Sequence, residues 1–294
     1  MPQTTIMPRL AVALLTVLLL HGCSPPPDEE SPSSDVDTQT PTNEALSAAL
    51  SNTTPRPRTI VIASDPWCPH NCEAGSDREG YMVDIAREVL GEAGYTVEYV
   101  NVSWARALQL TREGQLDAVV GAFTTDAPDF VFPDTPQGRS AIALFTHPDN
   151  RWVYDGLASL HNQKLLVING YSYTDELDQY IEEHQANPER IWVIAGPSPL
   201  DRAIYLLDQH RTDIFAEDIY VMAWWEMNNN DTVPAPRQAG LVDEIDAFVA
   251  FSPVREDAKE LAKLLTEGTR QLMDSGRVQQ ILDQYGLSLW TEMP

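Results

Sequence analysis

Residues 80–125 constrain the fold more than any other stretch of the chain. They read as a helix opened by Gly80-Tyr81-Met82-Val83-Asp84, a strand over Tyr95–Val102, a helix led by Trp104 and stopped at Gly114, a buried strand over Asp117–Phe123 and a Thr124-Thr125 turn. In the first helix Met82, Ile85, Val89 and Leu90 recur at helical spacing, and Gly94 ends it. Strand and helix in alternation build parallel sheets, and such sheets bind ligands beyond the C-terminal ends of their strands.

The alternation continues on both sides of this block. A strand over Thr59–Ser64 precedes it, and Ser140–Thr146 follows as an extended run. Next come a strand at Lys164–Ile168, a helix at Tyr173–His184, a strand at Ile191–Ala195 and a helix at Leu200–His210. A strand at Asp213–Ala216 and a helix from Ile219 to Asn228 complete the second set. Ala247–Ser252 is extended again, and helices at Arg255–Met273 and Arg277–Tyr285 close the chain. Two similar sets joined by two extended crossings predict an α/β protein of two lobes, 58–143 with 248–294 and 144–247.

The first 57 residues have a different composition. Met1–Leu20 carries one basic side chain, Arg9, and an apolar run too short to span a bilayer, which predicts a signal peptide over 1–22. Leu20-His21-Gly22-Cys23 resembles a bacterial lipoprotein cleavage box, which implies a lipid anchor on Cys23; an ordinary secretory signal is the alternative. Ser24, rather than Asp, points to the outer membrane in a Gram-negative host. Residues 23–57 are rich in Ser, Pro, Thr, Asp and Glu and read as a disordered tether. In an exported chain Cys68 and Cys72 are expected to form a short-loop disulfide. A metal held by these thiols and His70 is the weaker reading, because so tight a turn gives poor tetrahedral geometry. The formal charge of −25 argues against nucleic acid and anionic headgroups as partners.

Five blocks stand in order: Gly80-Tyr81-Met82-Val83-Asp84, Gly114-Gln115-Leu116-Asp117, Gly170-Tyr171-Ser172-Tyr173, His210-Arg211-Thr212-Asp213, and Ser275-Gly276-Arg277 with Tyr285-Gly286-Leu287. Together they resemble the periplasmic solute-binding proteins of family 3, the polar-amino-acid type, along 58–287. Trp104-Ala105-Arg106-Ala107 and the Cys68–Cys72 loop are similar to a lipoprotein-like subgroup. The resemblance implies a type 2 periplasmic-binding-protein fold, two mixed sheets flanked by helices and joined by two hinge crossings. It also implies a monomeric, extracytoplasmic protein that closes on a small polar solute, amino-acid-like or amine-bearing, for the permease of an ABC importer. No cofactor or metal is expected. A ligand-sensing module would look the same in sequence. A dehydratase on this fold is the enzymatic alternative, but no Ser-His-Asp set, zinc motif or phosphate-cradling Gly loop is visible, and no catalytic residue is assigned. The six histidines read as surface residues.

The resemblance also implies ligand-binding positions. Asp65 and Trp67 follow the first strand, Tyr81 opens the first helix, and Trp104 leads the second with Arg106 two residues on. Ala122, Phe123 and Thr124 match positions whose main-chain groups and hydroxyl hold a ligand. Ser172 and Tyr173 precede a helix whose free N–H groups suit an anion, and Glu217-Asp218 matches the acid that receives a ligand ammonium, with Asp218 as the expected partner. The chain departs from the family after the Thr-Thr turn, where amino-acid binders carry an Arg that grips the α-carboxylate. Here Asp126-Ala127-Pro128-Asp129 follows, and Arg106 and Arg139 are the candidates to supply that charge.

Overall fold

A computed structural model describes residues 58–196, 198–229 and 233–289; the signal, the Cys23 anchor and the tether lie outside the described residues. The strands are β1 (Arg58–Ser64), β2 (Tyr95–Asn101), β3 (Ala118–Ala122), β4 (Gly138–Thr146), β5 (Leu165–Ile168), β6 (Ile191–Ile194), β7 (Ile214–Asp218) and β8 (Arg237–Phe251). The helices are α1 (Tyr81–Glu92), α2 (Trp104–Arg112), α3 (Asp175–His184), α4 (Pro199–Asp208), α5 (Ile219–Asn228), α6 (Ala258–Asp274) and α7 (Arg277–Asp283), with a 3-10 turn at Leu157–Asn162.

The strand order is β2-β1-β3-β8-β4-β7-β5-β6. In the first half β1 pairs parallel with β2 and β3, and β3 pairs antiparallel with the end of β8. In the second half β5 pairs parallel with β6 and β7, and β7 pairs antiparallel with β4. The two crossings, β4 and β8, pair antiparallel with each other from Gly138↔Ala247 to Thr146↔Arg237, so they join the halves as one ribbon. The expected return strand began at Ala247, whereas β8 begins ten residues earlier, at Arg237. Its first part is largely exposed and polar (Gln238, Asp243, Glu244), so it lacks the apolar run that reveals a buried strand.

Strand alternation places the core on both faces of the sheet. In β1, Ile60 and Ile62 pack with α1, α6 and α7, whereas Ala63 faces Trp104, Ala107 and Leu108 of α2. Strand β3 divides the same way, Ala118 and Val120 against Val119 and Ala122. In the second half Leu165 and Val167 join the first cluster, and Leu166, Ile168 and Phe215 face α4 and Met222 of α5. Both faces of the inner parallel strands β1, β3, β5 and β7 are therefore largely apolar, which explains their apolar runs, whereas the edge strand β2 alternates, with Thr96 and Glu98 exposed.

The start of α1 has no side-chain cap. Its first N–H groups donate instead to carbonyls of the loop closed by the Cys68–Cys72 disulfide, Tyr81 to Pro69 at 3.1 Å and Met82 to His70 at 3.0 Å. Gly80 permits this approach. Its φ is +108°, and a Cβ there would lie 2.4 Å from Asn71 Cα and 2.5 Å from the His70 oxygen. Gly80→Ala is expected to lower stability by at least about 2 kcal/mol, combining clash and positive φ. Gly75→Ala, at φ +80° with nothing within 4 Å, should cost only about 1 kcal/mol. Urea denaturation of the two variants checks the difference; equal losses would contradict the capping role.

Candidate functional site

The C-terminal ends of β1 and β3 meet the loop after β5 along a seam between the halves. Ser64, Asp65, Trp67, Trp104, Gly121, Phe123, Asp126, Tyr171 and Ser172 surround a cavity of about 30 Å³ there. That is space for water rather than for a metabolite. Side chains from opposite halves fill the remainder, and Gly170 comes so close to α2 that a Cβ would sit 3.1 Å from the Ala105 methyl.

Three carboxylates cross this seam. Tyr171 Oη donates to Asp65 Oδ2 at 2.9 Å. The Ser172 N–H donates to Asp126 Oδ1 at 3.1 Å, while Asp126 Oδ2 accepts the Phe123 N–H at 2.7 Å. Trp67 Nε1 donates to Glu217 Oε1 at 2.9 Å. Burial is the largest influence on all three acids, pushing Asp65 up to about 6, Asp126 to about 7 and Glu217 to about 8. Hydrogen bonds from Tyr171 to Asp65, from Phe123, Ser172 and Trp104 to Asp126, and from Trp67 to Glu217 oppose that push without cancelling it.

Asp218 is placed differently from the expectation. It is fully buried at the N-cap of α5, where Oδ1 accepts the N–H groups of Tyr220 at 2.7 Å and Val221 at 2.9 Å. Oδ2 accepts Ser140 Oγ at 2.8 Å and the Ala141 N–H at 2.7 Å, and His70 Nε2 lies 3.1 Å from Oδ1. Its lone pairs are taken within the protein, so it is a structural acid, and the acid facing the cleft is its neighbour Glu217. His70 is a second correction. It is fully buried, stacked on Trp67 at 4.0 Å between ring centroids, with Nδ1 2.6 Å from Tyr81 Oη. The loop turns it inward, so a histidine that reads as surface is a core residue.

Among the positions implied by sequence, Asp65, Trp67, Trp104, Phe123 and Ser172 come together at the seam. Tyr81 and Tyr173 lie in the core, Tyr173 Oη accepting the Ile168 N–H, and Ala122 packs under α2. Thr124 is exposed, and it is Thr125 whose hydroxyl meets Ser172 Oγ across the seam at 2.9 Å. Neither arginine supplies a carboxylate grip: Arg106 is exposed beside Gln109, and Arg139 pairs with Glu244 along the crossings. Tyr171 and Asp126 belong to the seam although neither was among the implied positions. Asp126 carried a readable signal, an Asp three residues after Phe123 that caps its own turn.

Two outcomes test this arrangement. Asp218→Ala leaves four donors and His70 unpaired in the core, so it is expected to cost at least about 3 kcal/mol in urea denaturation, rather than only solute affinity. Because Asp65, Asp126 and Glu217 hold protons more tightly folded than unfolded, the stability they contribute is complete below about pH 4. It is lost as pH rises through about 6, 7 and 8 in turn. Without solute, the melting temperature should therefore fall from pH 6 to 8.5, and the fall should be smaller in Glu217→Gln. A rise over that range contradicts it.

The description "bacterial extracellular solute-binding proteins, family 3" fits residues 60–288. Among solved structures, a histidine kinase sensor domain with similarity to periplasmic binding proteins shares 22% identity, covering 80% of this chain and 98% of that one, with a TM-score of 0.62. A putative L-cystine ABC transporter protein from Listeria monocytogenes shares 16% identity over 78% of this chain and 95% of its own, with a TM-score of 0.63. A mutant of ArgBP from T. maritima shares 15% over 77% and 94%, with a TM-score of 0.63. No curated protein matches the chain.

Proposed function

We propose, for a chain that belongs to the bacterial extracellular solute-binding proteins of family 3, that the seam between its halves is where a small polar solute is captured. The observation that carries this reading is the set of cross-seam hydrogen bonds, Asp65 to Tyr171, Asp126 to Ser172 and Glu217 to Trp67. Each pairs a buried or half-buried acid of one half with a donor of the other, where the strand ends converge. A solute entering the seam replaces these partners and is held by both halves, which favours the closed form. Opening is assigned to the paired crossings β4 and β8, with lobes of 58–143 plus 248–294 and 144–247.

The solute is amino-acid-like or amine-bearing. The names of the L-cystine and ArgBP neighbours support the first, and the acids of the seam support the second. Delivery to an ABC permease is the leading role. The histidine kinase sensor domain among the neighbours favours sensing as a second one. Residues 1–22 act as the signal, Cys23 carries a lipid that anchors a monomer to a membrane, the outer one if the host is Gram-negative, and residues 23–57 form the tether. The chain binds its solute rather than transforming it.

A metabolite panel read by thermal shift tests the binding. A solute at a hundredfold excess over its Kd contributes about 2.7 kcal/mol, which raises Tm by about 5–10 °C. The stabilising compound should be recovered intact by mass spectrometry. Its conversion to product would overturn the binding role in favour of catalysis.

A further inference from the structure

A second, larger cavity of about 650 Å³ opens off the seam behind Trp67, between the disulfide loop and helices α4 and α5. Its walls include three indoles, Trp67, Trp224 and Trp225, and three carboxylates, Glu73, Asp201 and Glu217; among the described lining residues there is no Lys, Arg or His. Asp201 sits in the first turn of α4, so the positive end of that helix is already answered. Glu217 is 3% exposed, and its two hydrogen bonds, from the Trp67 indole and the Asp218 N–H, both fall on Oε1. Oε2 takes none among the described residues, leaving a nearly buried carboxylate oxygen in the wall of an aromatic cavity. One of these indoles already meets positive charge: the Arg78 guanidinium, outside the lining, lies 5.3 Å from the centre of the Trp224 ring.

Building on the solute-binding reading, we propose that the solute is an organic cation without a carboxylate, seated in this cavity with Glu217 as its counter-ion and the indoles packed on its charged head. A carboxyl at this depth with a free oxygen is ionised at little cost only beside a positive partner, and indole faces bind alkylammonium or guanidinium groups well. An α-amino acid would bring a carboxylate into a cavity that offers it three acids and no base.

The same geometry gives binding a pH dependence. Glu217 is surrounded by Asp218 next to it, Asp65 just after β1 and the phenols of Tyr171 and Tyr173, and burial holds its proton up to about pH 8. A cation must ionise it, so binding releases a proton and affinity rises with pH until about 8.

Calorimetry on the full chain with choline and agmatine tests this, with 3,3-dimethylbutanol as the neutral analogue of choline and L-glutamine as an amino acid. At least one cation is expected to bind, with affinity rising about tenfold per unit from pH 6 to 8. The neutral analogue should bind about tenfold more weakly or not at all. Glu217→Gln should lower cation affinity about tenfold or more at pH 8 and abolish its pH dependence. Trp225→Leu should weaken it by a similar factor, with circular dichroism and melting showing that both variants are folded. The proposal is overturned if neither cation binds, if the neutral analogue binds equally well, or if both variants keep the wild-type Kd. Glutamine binding without cation binding overturns this proposal while leaving the solute-binding reading in place; no binding from either class, with none from the wider panel, overturns both.

Discussion

The carboxylate of Asp218 is where three parts of the chain are tied together. It caps α5, accepts a hydroxyl and an N–H from β4, and meets His70 in the disulfide loop of the other half. Burying an ionised group costs several kcal/mol, and only a full set of donors makes it tolerable. That set fixes the position of β4, the loop and α5 with respect to one another. Because Asp218 binds β4 itself, this tie lies at the crossing, beside any hinge. The contacts of Tyr171 and Ser172, from the loop after β5, and that of Trp67 with Glu217 cross the seam away from β4, and a separation of the halves must break them.

The chemistry of the seam follows from acids facing neutral donors. Where the family's amino-acid binders place an Arg after the Thr-Thr turn, this chain places Asp126, whose carboxylate takes the Ser172 N–H for itself. A backbone donor suited to a solute anion is thereby answered from within the protein. Glu217 and Asp65, held partly protonated by burial, have only one indole and one phenol across the seam. Positive charge has several places to go in this seam, and negative charge has few.

Much of the fold was legible because the inner parallel strands are apolar on both faces, β2 alternates, and Gly residues mark the helix ends. Helices α2 and α5 run over the residues the sequence predicts. The first part of β8 was not legible, because a half-exposed crossing strand held by pairing with β4 carries no apolar signature. The site was legible in its aromatic and acidic first half, Asp65, Trp67 and Trp104, which sit at strand and helix ends. The division of labour between Glu217 and Asp218 was not. Adjacent residues at the end of β7 point to different surroundings, and only the packing decides which acid is capped and which faces the cleft. His70 reads as a surface residue for a similar reason: its burial comes from Trp67, which stacks on it, and from Tyr81 and Asp218, which lie farther along the chain.

The central claim is that solute is held by both halves at once. Hydrogen–deuterium exchange with and without a stabilising solute measures this directly. Protection is predicted together in the segments around 64–72, 121–126, 170–173 and 214–221, which come from the two sides of the seam. Protection confined to one half would contradict it.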